Sequence, residues 1–443
     1  MNTASRALVH RAIFRTPALA LLLLLCGSAR ADDWARFLGP THNAVSRETK
    51  LLHEWPSGGP AVVWEYPKGV GYACPAIAGG RVVLFHRVEE DEVADCLDAR
   101  TGKRLWTHRY AAPYRARFGD RPSTRASPVI AEGRVFTYGV AGMLHCLDLA
   151  SGKVVWKRDF AVEPGLAPAF FGTGATPLVL GKQLIHNVGA SDGTCVIALD
   201  TATGRELWSA KHEWGASYAS PVPATIHGRE CVLVFAGGQS RPPTGGLLTL
   251  DATTGEILNA TSHRAEMAES VSASSPVVAD GKRGLVFVSE AYGSGGAMIG
   301  IAPDFSATRP WRTDALGVYW MTPIVKDGCV FGVDGLNQRL AALVCLEAST
   351  GKQLWRDELG GKFQRASLLV ADGAVLCLGE NGDLAWLDLS PKGAVVKAHA
   401  QLFNAPETWT APALSNGLLY VSQNEQGAGG TKPRVICYDL RAP

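Results

Sequence analysis

Eight side chains hold most of the sequence's capacity for recognition: Tyr72, Arg125, Phe171, Tyr218, Tyr319, Trp320, Arg365 and Trp409. Each stands just ahead of a recurrent proline-type marker. Aromatic faces stack on planar groups, and guanidinium pairs bidentately with carboxylate or phosphate. Brought together, the set suits a planar, anionic molecule, and equally a peptide or a sugar. The plain alternative is that these residues pack loops over one another. Catalysis would need a carboxylate base beside them, for which Glu269, Glu290 and Asp334 are the candidates. No metal site is expected. Calcium takes roughly six to eight oxygen ligands, and the one dense acidic run, Glu89, Glu90, Asp91 and Glu92, lies between apolar runs and reads as a solvated tip.

Other reactive residue types are less suggestive. Residues 109–126 carry Arg109, Arg115, Arg117, Arg121 and Arg125 against Asp120 alone, the pattern of a solvated loop or of an anion-attracting rim. Of ten cysteines, Cys96, Cys146, Cys345 and Cys437 occupy one repeated position, two before an acidic residue. Equivalent positions in successive repeats stand too far apart for a disulfide, so packing thiols are expected. Gly102-Lys103 and its copies join strands and open no helix, which excludes a phosphate loop.

The elements that position these residues are repeats. An apolar pair, an acid, two variable residues, Thr or Ser, Gly, and an apolar run ending in Trp recurs as Asp98…Gly102…Trp106, Asp148…Gly152…Trp156, Asp200…Gly204…Trp208 and Glu347…Gly351…Trp355. Weaker copies stand at Asp251, Asp304 and Asp388, and Asp439 carries the first half only. The phrase predicts a hairpin whose acid caps turn amides and whose Gly takes positive φ. The Trp then fills the wedge between neighbouring sheets. Between these hairpins lies a second phrase, a small residue, Pro and an apolar pair, at Pro75, Pro128, Pro177, Pro221, Pro276, Pro323 and Pro412, with Ser367-Leu368 filling the remaining slot. Proline opening a strand predicts an edge strand, here the innermost one.

Acidic markers at 98, 148, 200, 251, 304, 347, 388 and 439 give eight units of about four short strands each. The expected fold is all-β, an eight-bladed β-propeller, with seven blades if the unit around Asp304 is an insertion. Gly58–Trp64 supplies the strand that the last unit lacks, so the ends of the chain should latch the ring. The domain reading is 1–31 signal peptide, 32–57 N-terminal extension and 58–443 propeller.

Arg6, Arg11 and Arg15 precede an apolar run from Ala18 to Cys26, and Ala29-Arg30-Ala31 offers small residues for cleavage before Asp32. Leu25 ahead of Cys26 disfavours a lipoprotein. Losing four Arg takes the formal charge from +2 to −2, which excludes nucleic-acid binding as the main role. No segment of the mature chain is long and apolar enough to span a membrane.

The repeated phrases resemble the pyrroloquinoline-quinone-like repeat, shared by quinoprotein alcohol dehydrogenases and by non-enzymatic BamB-like proteins of outer-membrane barrel assembly. Asp33-Trp34-Ala35-Arg36-Phe37-Leu38-Gly39-Pro40 is similar to the opening of secreted propellers of this type. One such scaffold hosts enzymes and binding proteins alike. The vicinal cysteine pair and the attached-haem motif of the dehydrogenases have no counterpart here. The expectation is an exported, periplasmic or secreted, monomeric binding or scaffold protein without catalysis. It would recognise a cell-envelope protein or a small polar ligand at the channel mouth. The second reading is a dehydrogenase of alcohols or sugars, with pyrroloquinoline quinone and calcium as cofactors.

Overall fold

The computed structural model describes Met1 and residues 32–115, 123–166, 170–238, 240–267, 270–336 and 340–442. The expected leader, Arg117, Asp120, Arg121 and Glu269 therefore lie outside the described residues, Met1 apart. The propeller lies within the unit Ala31–Pro443.

Eight four-stranded antiparallel sheets form the blades of a β-propeller. Blades 1 to 7 occupy residues 76–111, 129–159, 178–211, 222–262, 277–313, 324–357 and 366–401. Blade 8 takes three strands from residues 413–439 and its outermost from Ala61–Pro67. That strand pairs antiparallel with Arg434–Asp439, Ala61 opposite Asp439 and Pro67 opposite Arg434, so the two ends of the chain close the ring as expected. The unit around Asp304 is a complete blade. First strands of neighbouring blades approach one another around the axis, which makes the proline-led strands the innermost.

The hairpin phrase works through its side chains. Asp98, Asp148, Asp200 and Asp251 each accept turn amides two or three residues ahead. Gly102, Gly152, Gly204, Gly255 and Gly351 have φ of +68 to +75°, the left-handed region that glycine tolerates. A Cβ at any of them would fall 2.2–2.7 Å from the indole of Trp64, Trp106, Trp156, Trp208 or Trp311 respectively, each in the preceding blade. The indole N–H groups of Trp64, Trp106, Trp156, Trp311 and Trp355 donate to carbonyls of the next blade at 2.9–3.0 Å. Glycine and tryptophan are thus two halves of one joint. Blade 7 departs from the reading: Asp388 lies within the strand Asp383–Ser390, and Ser390 caps the turn instead.

The small residue before each proline has its own task. The Cys74 amide donates to Ser127 Oγ, Ser127 to Thr176, Thr176 to Ser220, Ser220 to Ser275 and Ser275 to Thr322, at 2.9–3.2 Å. This ladder ties blades 1 to 6 around the channel. At Ser367 the hydroxyl is buried and without a partner among the described residues.

Residues 32–57 follow the other ends of the inner strands. The Trp34 carbonyl accepts from Ile77, Ala35 from Ile130, Ala44 from Val370, and the Glu48 carboxylate from the amides of Asn416 and Gly417. The extension so satisfies exposed inner edges of blades 1, 2, 7 and 8, and places Phe37 and Leu38 among inner-strand residues at the channel's core. Cys96, Cys146, Cys345 and Cys437 are buried thiols, as are Cys74, Cys195, Cys231, Cys329 and Cys377.

Candidate functional site

Segments that enter the inner strands converge at one mouth of the channel. There a cavity of about 170 Å³ is lined by Tyr72, Arg125, Phe171, Tyr218, Tyr319, Trp320 and Trp409. Seven of the eight sequence candidates thus share one pocket, although up to 337 positions separate them. Phe37 of the extension also lines it.

The aromatic layer consists of two ring clusters bridged by Arg125. Tyr72 stacks on Trp409 at 5.1 Å between centroids, Trp320 lies 6.5 Å from Trp409, and Phe171 lies 6.1 Å from Tyr218. The Arg125 guanidinium sits over the rings of Tyr72 and Phe171, at 5.9 and 5.1 Å. It donates to the carbonyls of Ser123 and Phe171. Tyr218 Oη accepts from the Phe171 amide at 2.9 Å, and burial lifts its phenol to about 12.

Arg365, the eighth candidate, forms the layer behind. Its guanidinium lies 5.1 Å from the Tyr319 ring centre and 5.2 Å from that of Trp409, and meets Glu380 at 2.9 and 2.5 Å. Glu380 is wholly buried and also accepts the Trp409 indole N–H at 2.7 Å. Arg365 is therefore a neutralised cation that sets the rings of Tyr319 and Trp409. Glu407 takes the Tyr72 hydroxyl at 2.6 Å, which together with burial keeps that phenol protonated. Trp320 Nε1 is buried with no partner among the described residues, a donor left open at the mouth.

Two of the candidate bases lie elsewhere. Glu290 is buried, and its carboxylate accepts from Arg264, Ser270, Ser272 and the Ala265 amide. Asp334 accepts from the Gly317 amide and from Arg356, in a separate hollow. Glu290, Asp334 and Glu380 stand at the ends of the second strands of blades 5, 6 and 7, each matched by an arginine. Sequence reading missed Glu380, Glu407 and Phe37. For Glu380 the signal was present, since the repeat places an acid at the same strand end in three consecutive blades. The acidic run is also not a plain solvated tip. Glu92 is buried and accepts from Tyr110 Oη and the Val140 amide, while Asp91 pairs with Arg109 of the arginine-rich segment.

A quinone site with calcium would need several oxygen donors free to turn on one ion. The mouth carboxylates are engaged by tyrosine, arginine and tryptophan, and among the described residues no group of three His, Cys, Asp or Glu could hold a metal ion. The residues present do not fit that group.

Fold and repeat together define a propeller of the quinoprotein type. The profile of the family described as outer membrane protein assembly factor BamB matches residues 89–343 and 337–441, and the chain belongs to that family. It is 26% identical to BamB of Escherichia coli over 303 residues, 67% of this chain and 71% of that protein. Over 137 residues it is 30% identical to a 1-butanol dehydrogenase (cytochrome c) of Thauera butanivorans, 30% of this chain and 19% of the enzyme. The chain thus spans about a fifth of the length of the alcohol dehydrogenases it matches. Among solved structures, BamB from Moraxella catarrhalis superposes with a TM-score of 0.58 at 17% identity, covering 87% of this chain and 99% of that one. The quinohemoprotein alcohol dehydrogenase of Comamonas testosteroni gives 0.62 at 15% identity, covering 94% and 82%. Those two likenesses speak for the fold.

Proposed function

We propose that the chain is an exported binding or scaffold propeller of the cell envelope, without chemistry of its own, that receives a ligand or a partner's side chain at the channel mouth. The carrying observation is the composition of the mouth: aromatic clusters bridged by guanidinium, whose carboxylates Glu380 and Glu407 are engaged by protein donors. Such a surface binds by stacking and by apolar burial and offers no carboxylate base. The relatives lean the same way. The sequence likeness to BamB runs along 71% of that protein, whereas that to the butanol dehydrogenase covers 137 residues, 19% of the enzyme.

Residues 1–31 are the export signal in this reading, with cleavage before Asp32, which intact-mass measurement of the mature protein checks. The residues of the mouth are tested by placing a photo-reactive amino acid at Tyr319 and, as control, at Leu207 on the exposed outer strand of blade 3. Irradiation in the native envelope should give a discrete adduct from position 319 and none from 207. Equal or absent labelling at the two positions would overturn the assignment. A quinone-dependent dehydrogenase is the second reading, favoured by the 30% identity to the butanol dehydrogenase.

A further inference from the structure

Beside the mouth, over blade 3, opens a larger cavity of about 390 Å³, within the size range of small-molecule sites. Gly174 and Tyr218 line both spaces and form the partition between them. The hollow has a distinct chemistry. Among the described residues no lysine or arginine lines it, and the one lining carboxylate, Glu213, is exposed. Its walls are glycine-rich because backbones meet there: a Cβ at Gly189 would fall 1.9 Å from the Ala216 nitrogen, and one at Gly172 2.5 Å from the Val140 carbonyl. A neutral ligand is what such walls accept, since a charged one would find no counter-charge at depth.

Three groups give that ligand a shape. Trp214, buried and in edge contact with His212 at 4.6 Å, offers an indole as platform. His186 is 1% exposed and lines the cavity, and its Nδ1 has no hydrogen-bond partner among the described residues. Burial holds its pKa down to about 3, so the ring stays neutral and carries one N–H and one lone pair. A ligand hydroxyl can donate to Nδ1 or accept from it, whichever the ring's tautomer requires. Ser270 and Ser272 donate their protons to Glu290, at 2.9 and 2.7 Å; the Ser272 oxygen also accepts from Arg264, which leaves the Ser270 oxygen as the acceptor at the cavity wall. An imidazole with an open Nδ1, a serine acceptor and an indole face match the alternating C–H and O–H surfaces of a sugar ring.

We infer that the cavity over blade 3 is a binding site for a neutral carbohydrate, a pyranose or short oligosaccharide, seated against Trp214 with a hydroxyl on His186. The site is separate from the mouth and does not depend on what the mouth binds. The test is calorimetric titration of the mature full-length chain with D-glucose, N-acetylglucosamine and maltose, with ligand-observed magnetic resonance for weak binding. At least one of the three should saturate. His186→Phe keeps the ring contact with Tyr138 and deletes both nitrogens, and should weaken that binding about tenfold or more. Ser240→Tyr at the rim should block it without touching the buried wall, and Trp409→Ala in the mouth should leave it unchanged. A melting temperature near wild type shows that each variant is folded. Absence of saturation by all three sugars up to about 10 mM would leave the hollow a water-filled space and overturn the inference. Binding indifferent to both His186→Phe and Ser240→Tyr would overturn it equally.

Discussion

At the turn end of the propeller, five blades repeat one joint: a glycine at φ of +68 to +75° under the indole of the blade before it. At the mouth end, the corresponding positions hold Tyr, Arg, Phe, Tyr, Tyr-Trp, Arg and Trp, with little repetition from blade to blade. Both ends belong to the same blades: the joint turns join the third strand to the fourth, and the mouth residues precede the first. Where a position repeats, inter-blade packing dictates it; where it varies, packing leaves it open for recognition. The difference separates residues that make the ring from residues that use it.

Breaking a joint should therefore cost stability, and altering the mouth should cost binding. The largest effect is expected from Trp64→Ala, which empties the wedge between blades 8 and 1 and loosens the strand that closes the ring. A loss of about 3–5 kcal/mol by chemical denaturation is expected. Removing Glu380 as Glu380→Ala leaves Arg365 buried beside Tyr319 and Trp409 without its counter-charge, and should cost a similar 3–5 kcal/mol. That variant sharpens the comparison, because it shows the mouth resting on a buried ion pair. Gly102→Ala drives a Cβ toward Trp64 at a positive φ and should cost about 1–3 kcal/mol. Tyr319→Ala should cost less than about 1 kcal/mol by the same measurement. If Tyr319→Ala unfolds the ring as Trp64→Ala does, the division between the two ends fails.

Acid sensitivity adds a check on the core. Burial holds His145 and His263 down to about 4, and His42 and His186 to about 3, from ordinary values near 6.5. These rings stay neutral in the folded chain, whereas the unfolded chain takes up protons below pH 6.5. Stability should accordingly fall as pH drops from about 6.5 towards 4, seen as a declining melting temperature. His186→Phe should flatten part of that slope.

Much of the ring could be read from the chain. Period, acid, glycine and tryptophan specify blades, count and closure, because the same local physics recurs along the chain, in full at five of the eight blades. Even the pairing of Trp with the next blade's Gly shows in one sequence: blade 4 carries Asn259 in the Trp place, and the turn of blade 5 uses Phe305 and Ser306 without the glycine. The eight candidates were visible for the same reason, since each sits shortly ahead of a repeat marker, six of them three residues before it. Partners drawn from outside the repeat were not. Glu407 reaches Tyr72 across 335 positions, and Phe37 enters the channel from an extension with no internal periodicity. The cavity over blade 3 is built largely from backbone approach, which leaves only scattered glycines as its trace.

The central claim is recognition without catalysis at the mouth. Acceptor-coupled oxidation of primary alcohols and aldoses by the mature chain, supplied with pyrroloquinoline quinone and calcium, tests it most directly. No quinone-dependent turnover is expected. Saturable turnover that disappears in Arg125→Ala would contradict the claim.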